Sequence, residues 1–229
     1  VKYSQRVYLN GREVGRYAGG YEPREYDITE QVVLGHPNEL LVAAEDWTSL
    51  IAPGAQALAP ETSPEFASWV KDGILAPIGS RGWEVGIWQS VSLEARPPLY
   101  VADVFAMPSV REKRLRVQVT VRNDGPRPEQ ARVTARIASG GPGPQFEPKA
   151  VTVEAGQEAT ILLEAPWPDA HLWSPQDPHL YSLVAELPGD ACQVRFGFRE
   201  FWVEGDRLML NGRPINLLAT AAHPMPEYD

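Results

Sequence analysis

Residues 115–121 (LRVQVTV) set Leu115, Val117, Val119 and Val121 against Arg116, Gln118 and Thr120. A period of two with one apolar and one polar side predicts a strand buried on one face. Runs of the same kind follow at Arg132–Ile137, Thr160–Leu163, Leu180–Leu187 and Cys192–Phe198. Nearer the start, Tyr8–Leu9, Glu13–Arg16 and Glu39–Ala44 also predict strands, with GHPNE as a turn before the last. GIWQSVSLE, from Gly86, predicts another that places Trp88 in a core, and Trp173 is expected to pack between sheets. Helical periodicity is almost absent; Ser63–Val70 could form one short helix within a long Ala-, Pro- and Gly-rich stretch between Trp47 and Trp83. The pattern predicts an all-β chain of antiparallel sandwiches.

Prolines and glycines punctuate these runs, 22 and 19 in number, and divide the chain. The pair Pro97–Pro98 cannot continue a ladder, so a boundary is expected there. The expected divisions are 1–98, 99–201 and 202–229, the last a hairpin followed by an apolar strand. SGGPGPQFEP (139–148) reads as an inner loop. Leu-Asn-Gly-Arg occurs twice, at Leu9–Arg12 and Leu210–Arg213, without extended similarity around it. Asn-Gly favours two-residue hairpin turns because both positions need positive φ, so the match predicts two separate hairpins rather than an internal repeat.

With 229 residues and 43% hydrophobic content the chain can bury a sizeable core. Its formal charge of −9 and scattered Lys and Arg exclude a nucleic-acid partner, which needs a basic footprint. No apolar run approaches the roughly 18 residues of a membrane span, so no membrane partner is expected. The single cysteine, Cys192, excludes an intrachain disulfide and reads as a buried thiol. His36, His171 and His179 sit beside turn residues without metal-ligand spacing; no metal or cofactor is expected.

Several ordered segments carry a resemblance. LNGREVGRYAGGYEPREYDIT, GHPNELLVAAED and GIWQSVSLE together resemble the sugar-binding domain of family 2 glycoside hydrolases, the β-galactosidase and β-glucuronidase group. LWSPQDPHLYSLVAEL resembles that family's immunoglobulin-like domain, and FGFREFWVEGDRLMLNGRPINLL its passage into a catalytic (β/α)8 barrel. The resemblance implies a jelly-roll-like sugar-binding sandwich over 1–98, an immunoglobulin-like β-sandwich over 99–201, and the first strand of a missing barrel over 202–229. It also implies carbohydrate, a β-glycoside, as the parent enzyme's partner and a catalytic barrel in cis.

Retaining glycosidases use two carboxyl groups about 5 Å apart. In the family resembled both are glutamates on later barrel strands, so no catalytic residue is expected here. Local alternatives, Glu45–Asp46, Glu22 with Glu25 and Glu200 with Glu204, read as opposed strand neighbours or solvated surface charges. The family's sugar-contacting Asp, six residues ahead of Gly-Ile-Trp, falls on Ser80, with Asp72 as a more distant substitute. The family's Gly-x-Asn-Arg-His aligns with Ala219-Thr220-Ala221-Ala222-His223, which keeps only the His; His223 is a substrate-binding candidate or a turn residue before Pro224. Trp69 and Trp83 are candidates for stacking on a sugar. Three readings follow: an inactive accessory fragment of a glycosidase, a stand-alone carbohydrate-binding module, or a ligand-free pair of sandwiches. The first predicts a bare apolar surface and self-association through it.

Overall fold

The computed structural model describes residues 4–19, 22–45 and 86–217. Every regular element among them is a β-strand. The chain divides into two compact units, Val1–Leu93 and Glu94–Asp229.

The described part of the first unit is a three-stranded antiparallel sheet in the order β2–β1–β3, formed by β1 (Ser4–Leu9), β2 (Arg12–Ala18) and β3 (Leu40–Glu45). Asn10 and Gly11 turn β1 into β2 at φ 52° and 77°, the left-handed pair that a two-residue hairpin requires. Val7 and Leu9 are buried while Arg6 is exposed, as the alternation dictates. Residues 87–98 form no strand, contrary to the expectation for GIWQSVSLE. Trp88, Val91 and Leu93 are at least half exposed, so Trp88 is not a core residue. Alternation makes a strand only when a ladder partner exists, and no described strand pairs with this run.

The second unit holds a seven-stranded sandwich. One sheet is β4 (Leu99–Ser109), β5 (Arg114–Asn123) and β8 (Glu158–Pro166) in the order β4–β5–β8. The other is β10–β9–β6–β7, from β6 (Glu129–Ser139), β7 (Lys149–Val153), β9 (Tyr181–Leu187) and β10 (Asp190–Phe196). Two strands in one sheet, two in the other, one back and two more: this is immunoglobulin-like connectivity. Leu115, Val117, Val119 and Val121 are fully buried and meet Val133, Leu163, Leu183 and Ala185 in the core. Five residues of β9 in succession, Tyr181–Ala185, are buried, so the alternation fails there because both faces are covered.

The tryptophan of this core is Trp167, not Trp173 as expected. Its ring lies 4.6 Å from that of Tyr181 and 5.4 Å, edge-on, from that of Phe198. The Tyr181 hydroxyl accepts from the His171 N–H at 2.7 Å and ties down the long connection entering β9. Charged groups close both seams of the sandwich: Asp190 accepts from the Val101 N–H at 2.7 Å, beside the β4 bulge, and the Lys149 ammonium donates to the Leu162 carbonyl at 2.6 Å. Such capping, with Pro108 and Pro166 on the edge strands β4 and β8, blunts strand edges against further pairing.

A second three-stranded sheet follows in the same unit, β11 (Phe201–Glu204), β12 (Arg207–Leu210) and β13 (Arg213–Ile215), with β12 central. Asn211 and Gly212 turn β12 into β13 at φ 52° and 82°. The second Leu-Asn-Gly is therefore a hairpin turn like the first.

Candidate functional site

Ser80, Trp83, Trp69 and His223, the substrate-binding candidates of the sequence, lie outside the described residues, as do Asp72, Ala221, Ala222, Asp46 and the Ser63–Val70 segment. The expected roles of these residues are therefore neither met nor contradicted by the geometry. Among the described residues no group of three or more His, Cys, Asp or Glu side chains is arranged to hold a metal ion.

Glu22 accepts from the Tyr17 hydroxyl at 2.8 Å and pairs with Arg24, which stacks over the Tyr17 ring. His171 and His179, expected as separate turn residues, stack with ring centroids 4.3 Å apart. His179 Nε2 donates to the Gly140 carbonyl at 2.7 Å, and His171 Nε2 meets Asp177 Oδ2 at 2.5 Å. Each ring is thus committed at Nε2. Cys192 is half-buried rather than buried, and burial, reinforced by the Asp103 and Asp190 carboxylates, pushes its thiol up. A raised thiol is a poor nucleophile.

The densest polar arrangement lies where the sandwich passes into the β11–β13 sheet. Glu200, expected as a solvated surface charge, has a side chain only 14% exposed. It accepts from the Arg111 backbone N–H at 2.9 Å, from Arg111 Nε at 2.7 Å and from the Ser109 hydroxyl at 3.2 Å. Burial pushes the Glu200 carboxyl up, but the Arg111 guanidinium and N–H and the Ser109 hydroxyl outweigh it and hold it below the ordinary value. Arg111 also lies over the Trp202 ring, 4.6 Å from its centroid. The backbone of Glu200 is engaged as well. Its N–H donates to Asn211 Oδ1 and its carbonyl accepts from the Asn211 N–H, both at 2.9 Å. Asn211 Nδ2 then donates to the Trp173 carbonyl at 2.9 Å, and the Trp173 N–H donates to the Phe198 carbonyl at 3.0 Å. Trp173 itself packs against Gly197, with Arg199 stacked 4.1 Å from its ring.

The first Leu-Asn-Gly turn repeats this scheme. The Asn10 N–H donates to the Glu39 carbonyl at 2.9 Å, and the Glu39 N–H donates back to Asn10 Oδ1 at 3.0 Å. In both sheets the Glu immediately precedes a strand that pairs with the one ending in Leu-Asn: Leu9 faces Leu40, and Leu210 faces Phe201. The turn bends the Asn carbonyl away, and the side-chain amide takes its place for one more rung. A Glu followed by two apolar residues, Glu39-Leu40-Leu41 and Glu200-Phe201-Trp202, is the sequence signal for the partner.

Residues 99–199 match the family model for glycosyl hydrolases family 2. Family 2 glycosyl hydrolases are thus what this segment is similar to. Over 216 residues the chain is 24% identical to a beta-galactosidase of Arthrobacter sp. (strain B7), covering 94% of this chain and 17% of that protein. Over 223 residues it is 26% identical to a beta-glucuronidase of Paenibacillus borealis, covering 90% and 33%. The chain thus spans a minor part of both relatives. Among solved structures, a Bacteroides uniformis beta-glucuronidase superposes with TM-score 0.69 at 26% identity, over 94% of this chain and 25% of that one. A beta-galacturonidase of Eisenbergiella tayi shares the fold, with TM-score 0.64 at 22% identity over 93% and 34%. The all-β architecture expected from the sequence is that of family 2 β-sandwich domains.

Proposed function

We propose that this chain is a non-catalytic β-sandwich portion of a family 2 glycosidase that hydrolyses terminal O-glycosidic bonds of β-glycosides. In this reading the first unit is the sugar-binding, jelly-roll-like part, the sandwich is a brace, and the β11–β13 sheet leads into a catalytic barrel in cis. The observation that carries it is the state of the carboxylates. Among the residues whose burial is described no Asp or Glu is fully buried, and the most heavily bonded one, Glu200, has both oxygens occupied by Arg111 and one also by Ser109. A general acid needs an apolar setting that raises its pKa, and a nucleophile needs a free oxygen. Glu200 is built as a strut. Phe201 and Val203, on one face of β11 and at least half exposed, supply apolar area for a neighbouring domain or for self-association.

The test is to assay the 229-residue chain on chromogenic β-galactosides, β-glucuronides and β-galacturonides, with tryptophan fluorescence titrations against the free sugars. Neither turnover nor binding is expected. Saturable binding without turnover favours a carbohydrate-binding module and directs attention to Trp69 and Trp83. Turnover that co-purifies with the chain overturns the proposal.

A further inference from the structure

The three strands of β11–β13 bury little: in β11 and β12 together only Met209 is buried, and β13 has three residues. A two- or three-stranded sheet of that size is marginal by itself. Among the described residues, hydrogen bonds tying it to the sandwich converge on Glu200 and Asn211. The β11 strand begins at Phe201, directly after Glu200. Glu200 is held from two sides: by Ser109 and Arg111 in the β4–β5 turn through its side chain, and by Asn211 through its backbone. Asn211 in turn reaches the Trp173 carbonyl on the connection into β9, where Leu172 and Phe198 form a parallel bridge.

We infer that Glu200, Arg111 and Asn211 form a latch that locks the β11–β13 sheet onto the immunoglobulin-like sandwich, with Glu200 and Asn211 as positioning residues for whatever follows the sheet. That the following part is catalytic rests on the function proposed above; the latch does not. The side-chain bonds fix where the sheet starts. The Asn211 amide fixes its turn against the sandwich, and together they define both position and tilt. Two arginine–tryptophan stacks, Arg111 on Trp202 and Arg199 on Trp173, add cation–π attraction at residues of the same seam. Breaking the latch therefore frees the sheet locally, while the core of Leu115, Leu163 and Leu183 stays folded.

Hydrogen exchange on the whole chain tests this, comparing wild type with Glu200→Gln, Asn211→Ala and, as a control, Asn10→Ala. The amides of 200–215 are expected to exchange about 30-fold faster in Asn211→Ala and about 10-fold faster in Glu200→Gln, a loss of one or two partly buried hydrogen bonds. The amides of Val117, Val119 and Leu183 are expected to keep wild-type protection in both, and Asn10→Ala to leave 200–215 unchanged. Wild-type protection of 200–215 in both latch variants overturns the inference. So does equal acceleration of the sandwich core, which would make these residues general stability elements. A glycosidase assay does not enter this outcome, so the two proposals fail separately.

Discussion

The two Leu-Asn-Gly turns have the same letters, nearly the same φ angles and the same reciprocal pair of bonds to a glutamate backbone. They differ in what surrounds that pair. Asn10 is exposed, and its amide nitrogen reaches the Gln31 carbonyl and Asn38, itself a loop organiser bonded to Val33 and His36. Asn211 is half-buried, its amide nitrogen ends on a sandwich carbonyl, and its glutamate partner carries an ionic lock. One device is thus used twice, once to finish a sheet within its own loops and once to join a sheet to a separate core. The value of a hydrogen bond depends on whether water can replace it, so the same substitution has different consequences at the two sites.

The largest contrast is expected from the asparagines. Asn211→Ala leaves the Glu200 N–H and the Trp173 carbonyl without partners in a half-buried setting and should cost about 2–3 kcal/mol of local stability. Asn10→Ala, where water replaces the lost bonds, should cost about 1 kcal/mol. Exchange free energies of the β12 and β1 amides measure both, and equal losses would erase the distinction. Next come the glycines. A side chain at Gly11 or Gly212 meets nothing within 4 Å, so Gly11→Ala and Gly212→Ala carry only the backbone penalty of positive φ, about 1 kcal/mol each. Similar losses at both positions would show that the turns themselves are equivalent.

The smallest effect is a titration. Glu200 is held below its ordinary value in the folded chain, so its contribution is complete above the unfolded Glu value of about 4.3 and fades as pH falls through the lower folded value. Amide protection in β11–β13 should therefore decline on acidification below pH of about 4, and Glu200→Gln should flatten that decline. Arg111→Lys should retain part of the effect, since an ammonium keeps the charge but loses the paired geometry of the guanidinium.

Much of the sandwich is legible in the sequence because most of its strands have one solvated face. In Leu115–Val121 the alternation is complete, and β5 follows it residue by residue. Other strands are hidden for physical reasons. The β4 alternation is broken by the bulge between Val101 and Asp103, and β7 is only five residues long. In 86–94 an alternating pattern produced no strand, which shows that the pattern is not a sufficient sign. The turn chemistry of Asn10 and Asn211 is written in two letters, but their glutamate partners lie 29 and 11 residues away, in opposite directions along the chain. Glu200 is invisible as a buried charge because Arg111, the residue that makes its burial tolerable, is 89 positions distant. Trp167 and Trp173 differ in sequence by little; only the third dimension assigns one to the core and the other to an arginine stack.

The three short strands of β11–β13 are joined by two tight turns that respond oppositely to editing of the chain. Gly205 and Asp206 connect β11 to β12 and stand exposed, so a peptide inserted there lengthens a loop and leaves every rung intact. Asn211 and Gly212 connect β12 to β13 and also supply the last rung of the neighbouring strand. A single residue inserted there would carry the amide off its partner, and the sheet would lose its hold on the sandwich along with its turn. Six residues apart on the same ribbon, one turn is a splice point and the other a keystone.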